Sequence, residues 1–153
     1  MPDGPLIVDG RQSERALRVQ RGVMRLLRET FDFCCFAEVT LASGRRADVL
    51  GVGPKGELWI VEIKTSIEDF RIDGKWPEYK EFCDRFYFAK PVELSPDIFP
   101  HNEGLIVADG HGAEMLREAR EAPLAPARRK TMMLKLARLG ADRIHALLDP
   151  GPG

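Results

Sequence analysis

The sequence predicts an α/β chain with a mixed central sheet flanked by helices. Three observations carry that expectation. An early segment has apolar residues at helical spacing, three extended segments follow across short glycine-containing turns, and from Lys75 onward helical and extended patterns alternate. The 153 residues, 44% hydrophobic and 31% charged, fit one domain over 1–153. A chain of that length buries roughly two-thirds of its unfolded surface and needs no metal or disulfide staple.

Residues 11–28 read as the leading helix. Asp9 is placed to cap it, Gln12 to answer from three residues on, and Ala16, Val19, Val23, Leu26 and Leu27 gather on one face. Arg11, Arg15, Arg18, Arg21, Arg25 and Arg28 fall within about 140° on the opposite side, with Glu14 among them. That arc is either a solvated face with Glu14 as its ion-pair partner or a phosphate-facing surface.

Extended segments follow: FCCFAEVTL, RRADVLGV and ELWIVEIK. Ala42–Gly44 and GPKG supply hairpin connections, so the three strands should run antiparallel. KWPEYKEFCDRFYFA reads as a helix running into a fourth strand, with Pro77 near the helix start. EGLIVAD supplies a fifth strand, GAEMLREA a short helix, and residues of about 128–148 a basic C-terminal helix packed through Met133, Leu136, Leu139, Leu147 and Leu148. PVELSPDIFPHN and EAPLAPA are loops.

Lys plus Arg is 23 and Asp plus Glu 24, a net charge of −1, which excludes a globally cationic coat. Charge is instead local: residues 11–30 carry +4, residues 128–143 carry +5, and residues 93–121 hold seven acidic against two basic side chains. The two basic helices would line one phosphate-contacting groove if the fold brings them together. Cys34, Cys35 and Cys83 form no CxxC pair and have apolar neighbours, which points to buried thiols in a reducing compartment. The apolar runs are too short to span a bilayer, and the N-terminus lacks a basic segment leading into a long apolar one. A cytoplasmic protein with no membrane partner is expected. His101, His111 and His145 are too scattered for a zinc centre.

The chemistry concentrates on the second and third strands. With Val52 opposite Leu58 across GPKG, Leu50 faces Ile60 and Asp48 faces Glu62, while strand parity puts Lys64 on the side of Glu62. Both strands are otherwise apolar, so these charges need partners or a ligand. Two adjacent carboxylates suit a hard divalent cation, Mg²⁺ or Mn²⁺. Asp48, Glu62 and the Ile63 carbonyl would hold the metal, and Lys64 would orient an attacking water for phosphodiester hydrolysis. A cross-strand ion-pair cluster is the plainer alternative.

Asp48, thirteen intervening residues and Glu62-Ile63-Lys64 resemble the core motif of the PD-(D/E)XK nuclease superfamily. The phrases GRQSERALRVQRGVMRLL, LASGRRADVLG, GELWIVEIKTS, DFRIDGKWPEYKEFCDRFYFA and GLIVAD resemble, over nearly the whole chain, the MmcB-like DNA repair family of bacteria. The resemblance implies a restriction-endonuclease-like three-layer fold and a DNA-repair association, with Asp48, Glu62 and Lys64 as the transferable core. Ala47 stands where the superfamily has Pro. Many superfamily members add a leading-helix Glu, a role for which Glu14 and, from the first strand, Glu38 compete.

Arg11, Arg15, Arg18, Lys75, Tyr79 and Lys80 are the candidate DNA contacts. Trp76 either stacks a base or joins Tyr79 and Cys83 in a core face. Asp69 and Asp73 are expected to shape the loop after the third strand, and Asp84 to pair with Arg85 or the leading helix. The favoured expectation is a metal-dependent endonuclease acting in the bacterial cytoplasm on nucleoid DNA. The alternatives are a non-catalytic DNA-binding or recruitment module, and a structural interaction protein. Expected partners are DNA, a second copy of the chain and a further repair protein.

Overall fold

The computed structural model describes residues 13–152. A helix α1 (Glu14–Glu29) precedes strands β1 (Cys34–Thr40), β2 (Arg46–Val52) and β3 (Leu58–Ile63). A short helix α2 (Ile67–Ile72), a 3₁₀ helix (Trp76–Phe82), β4 (Arg85–Lys90), a second 3₁₀ turn (Pro96–Ile98), β5 (Gly104–Ala108), β6 (Ala113–Arg117) and α3 (Pro126–Leu148) complete it. The six strands lie in chain order, β1 to β6. The pairs β1–β2, β2–β3 and β5–β6 are antiparallel, and β3–β4 and β4–β5 are parallel.

The leading helix begins later than the sequence suggests. Ser13 is its N-cap, with the side chain accepting the Ala16 amide at 3.1 Å; Asp9, Arg11 and Gln12 lie outside the described residues. Val19, Val23 and Leu27 recur every fourth residue and are buried against Val49, Trp59 and Val61, each burial contributing about 1.5–3 kcal/mol. Gly22 lets the helix backbone approach the carbonyls of Asp109 and Gly112, where a Cβ would collide.

The opposite face of the sheet is covered by the 3₁₀ helix and α3. Met132, Leu136, Tyr79 and Phe82 pack there on Leu50, Ile60, Phe86 and Phe88. The three layers are therefore α1, sheet, and 3₁₀ helix with α3. Because α1 and α3 occupy opposite faces, the two basic helices do not line one groove. The segment expected as an α-helix after Lys75 is 3₁₀, and the sequence contains the reason. Trp76, Tyr79 and Phe82 recur at strict intervals of three, the eclipsed spacing of that helix, and Pro77 sits in its first turn. Trp76 stacks on Phe86 at 5.7 Å, so it belongs to the core face.

Three further expectations change. Ala113–Arg117 within GAEMLREA are helix formers, yet they make edge strand β6, with Met115 opposite Ile106; pairing with β5 overrides propensity. The Asp109 carboxylate accepts the His111 and Gly112 amides and closes that hairpin. Leu147 and Leu148 do not pack: they are 82% and 80% exposed because α3 runs past the sheet. Cys34 is exposed and Cys35 half-buried, leaving Cys83 as the buried thiol.

Asp84 pairs with neither Arg85 nor α1. Its carboxylate accepts the Leu58 and Leu124 amides and two Arg129 nitrogens at 2.6–2.8 Å, tying β3 to the start of α3. At the outer edge of β1, Arg143 donates to the carbonyls of Ala37 and Glu38 at 2.7 and 2.8 Å. No described helix is long and apolar enough to cross a membrane.

Candidate active site

The expected register holds: Leu50 faces Ile60 and Val52 faces Leu58. The Cα ladder runs out at Val49–Val61, and the next residues on each strand are Asp48 and Glu62. Here each strand's carboxylate accepts an amide of the other strand. Asp48 Oδ2 takes the Ile63 N–H at 2.8 Å, and Glu62 Oε1 takes the Asp48 N–H at 3.3 Å. The carboxylates thus continue the ladder by side chain, which fixes both of them to rigid backbone. The Lys64 amide donates to the Ala89 carbonyl at 2.9 Å and anchors the end of the motif on β4.

Glu62 is 6% exposed. Burial raises its pKa well above the usual carboxylate value, the Asp48 charge raises it further, and Lys64 opposes both. The Tyr79 hydroxyl lies 3.0 Å from Glu62 Oε2 and 3.0 Å from the Arg46 carbonyl. With one proton, it can donate to Arg46 while accepting from a protonated Glu62, or donate to an ionised Glu62. Tyr79 was a candidate DNA contact; at 2% exposed it instead supports the carboxylate from below.

Lys64 does reach the patch, but Asp73 holds its ammonium at 2.9 Å. The second Asp73 oxygen takes Arg45 at 2.8 Å and the Lys75 amide at 3.2 Å. Burial alone would raise the Asp73 pKa; the Lys64 hydrogen bond and charge, with Arg45, hold it below the usual value. Arg45 also lies over the Tyr79 ring at 5.0 Å, and its Nε is buried with no acceptor. Arg45, Glu62, Lys64 and Asp73 line an open groove of about 770 Å³, together with Asp69, Ile72 and Lys75.

The remaining candidates lie elsewhere. Glu14 is 86% exposed and pairs with Arg18. The α1 residue that approaches the site is Gln20, whose amide is 3.5 Å from the Asp48 carbonyl. Glu38 has φ 54° on β1, pairs with Arg46 at 3.6 Å and lines a separate groove with Lys135 and Arg138 of α3. Arg15 pairs with Glu93, and Lys80 with Glu103 at 2.7 Å while lying over Trp76. Asp69 accepts from Thr65. The sequence points to neither Arg45 nor Gln20, and it points to Asp73 only as a loop-shaping residue, not as the partner of Lys64 and Arg45. An Asp nine residues past Lys64 and an Arg 28 residues before that Asp carry no spacing signal.

Among the described residues no three His, Cys, Asp or Glu side chains converge as a metal cluster. The oxygen donors at hand are Asp48, Glu62 and the Ile63 carbonyl. That set fits a hard cation that keeps several waters, and it does not fit a site closed by protein ligands. Two carboxylates that cannot comfortably ionise together are the feature such a cation would relieve.

A family model described as MmcB-like, DNA repair protein MmcB-like, matches residues 3–151. A solved structure of a protein of unknown function from Silicibacter pomeroyi is 44% identical, with a TM-score of 0.86, covering 94% of this chain and 98% of that one. No curated protein matches the chain.

Proposed function

Since this chain belongs to the MmcB-like DNA repair protein family, we propose that the Asp48–Glu62 site is a divalent-metal-dependent phosphodiesterase centre acting on DNA. The observation that carries this reading is the reciprocal bonding of Asp48 and Glu62 to each other's strands, with Lys64 beside them at the floor of an open groove. Its resemblance to PD-(D/E)XK nucleases supports it.

Asp48, Glu62 and the Ile63 carbonyl would hold Mg²⁺ or Mn²⁺, which would supply charge stabilisation at the phosphoryl oxygens. The chain's own residues do the rest. Lys64, once a phosphate competes for it with Asp73, orients the attacking water and faces developing negative charge. Arg45 and Lys75, on the groove wall, take the flanking phosphates. Tyr79 keeps Glu62 in place and offers it a proton partner.

A second reading, a DNA-binding or recruitment module without turnover, is favoured by one observation. Asp73 already pairs with both Lys64 and Arg45. The test is incubation of the purified chain with labelled single-stranded, nicked, mismatched and branched DNA plus Mg²⁺ or Mn²⁺, beside Glu62→Ala and Lys64→Ala. Metal-dependent cleavage lost in both variants supports the phosphodiesterase. Binding without cleavage by the wild type would falsify it and select the second reading.

A further inference from the structure

Helix α3 carries apolar residues on two separate arcs. Met132 and Leu136 face the sheet and are 3% exposed. A second stripe, Leu134, Ala137, Ala141, Ile144 and Leu148, lies roughly 80–160° around the helix from Leu136 at about 100° per residue. All five are exposed, Leu134 at 63%, Ile144 at 59% and Leu148 at 80%. Their intervals are three, four, three, four, which is the repeat of a helix that packs along another helix. From Ala141 to the helix end every residue is exposed, and these turns hold to the sheet through Arg143 on the Ala37 and Glu38 carbonyls, which lies off this stripe and leaves the stripe itself facing solvent.

We infer that this stripe pairs antiparallel with the same stripe of a second copy of the chain, about a two-fold axis at Ala141. The pattern is self-complementary about that point. Leu134 falls level with Leu148 of the second copy, the small Ala137 with its large Ile144, and Ala141 with its own equivalent. A two-fold interface requires this property of one patch. The charges agree. On the same flank of the stripe, Arg138 comes level, within about two residues or ~3 Å, with Asp142 of the second copy, and Lys135 with its Asp149. A uniformly acidic partner would leave Asp142 and Asp149 facing like charge. The stripe is only about 21 Å long at 1.5 Å per residue, so the dimer belongs to the transient size class.

Sedimentation equilibrium of the full chain, from about 5 to about 300 µM where transient interfaces populate, tests the pairing. The wild type is expected to rise with concentration towards twice the 17.2 kDa chain mass. Ala141→Glu is expected to remain monomeric over that range with an unchanged circular dichroism spectrum, since the position is exposed. Arg138→Asp and Asp142→Arg each weaken association at least several-fold, and the double variant restores it. A monomeric wild type, or a dimer indifferent to Ala141→Glu, overturns the surface. Single reversals that weaken association without rescue in the double variant overturn the antiparallel register.

Discussion

Lys64 and Asp73 form a 2.9 Å ion pair in which the two side chains are only 9% and 10% exposed. The ammonium expected to meet phosphate is therefore already matched by a carboxylate from the loop after α2. Asp73→Asn keeps the shape and removes the charge. It should destabilise the fold by about 1–3 kcal/mol, because Lys64 and Arg45 lose their common partner. It should also tighten DNA binding and steepen its salt dependence by about one to two phosphate contacts. Fluorescence anisotropy over a salt series reads both; an unchanged slope puts these cations outside the DNA path.

Glu62 makes stability fall as pH rises. Its folded pKa is well above 4.5, first through burial and then through Asp48, so the folded chain keeps a proton the unfolded chain has released. The contribution is fully present below 4.5 and is lost as pH climbs through the folded value. In metal-free buffer, Glu62→Gln should flatten this limb and be more stable than the wild type by about 1–3 kcal/mol near pH 8. Denaturant unfolding with chelator from about pH 5 to about pH 8 checks it; parallel pH slopes in the two proteins would refute the assignment.

Asp84 gives the opposite sign. Burial raises its pKa, but the hydrogen bonds from Arg129, Leu124 and Leu58 outweigh that and leave it below 3.8. Its contribution is present above 3.8 and disappears as pH falls through the folded value. Arg129→Met leaves a carboxylate that is 4% exposed without its cation. A loss of about 3–5 kcal/mol at neutral pH is expected, together with a shallower acid limb, by the same unfolding measurement.

Gly22→Ala tests the seat of α1. Helix propensity alone would favour alanine by about 1 kcal/mol. The new Cβ, however, would collide with two backbone carbonyls, Asp109 and Gly112, which cannot swing aside as a side chain can. A net loss of about 2 kcal/mol or more is expected in thermal melts, and a gain would mean that the β5–β6 turn yields.

Strand pairing was legible where parity governs it. Leu50 with Ile60 follows once Val52 is set opposite Leu58, and Asp48, Glu62 and Lys64 follow from that register. Residues 113–117 were not legible as a strand, because Ala, Glu, Met, Leu and Arg favour helix and only the exposed edge of β5 decides otherwise. The choice of face for α1 and α3 was hidden for a related reason. A helix's periodicity shows that it has a buried side, not which side of the sheet receives it. Asp73 was read as a loop-shaping residue, since its cationic partners come from separate segments that only the folded chain brings together.

The order of strands in space repeats their order in the chain, and this bears on how the protein emerges from the ribosome. Each new strand meets a neighbour already synthesised, and none must be inserted between two others, so the sheet can grow at one advancing margin. The starting margin is different. The Ala37 and Glu38 carbonyls of β1 are covered by Arg143, which is made 106 residues after Ala37. Until α3 docks, that strand offers its backbone to any passing chain. Nascent or truncated forms ending before Arg143 should therefore be the aggregation-prone species, with α3 acting as an internal chaperone for β1.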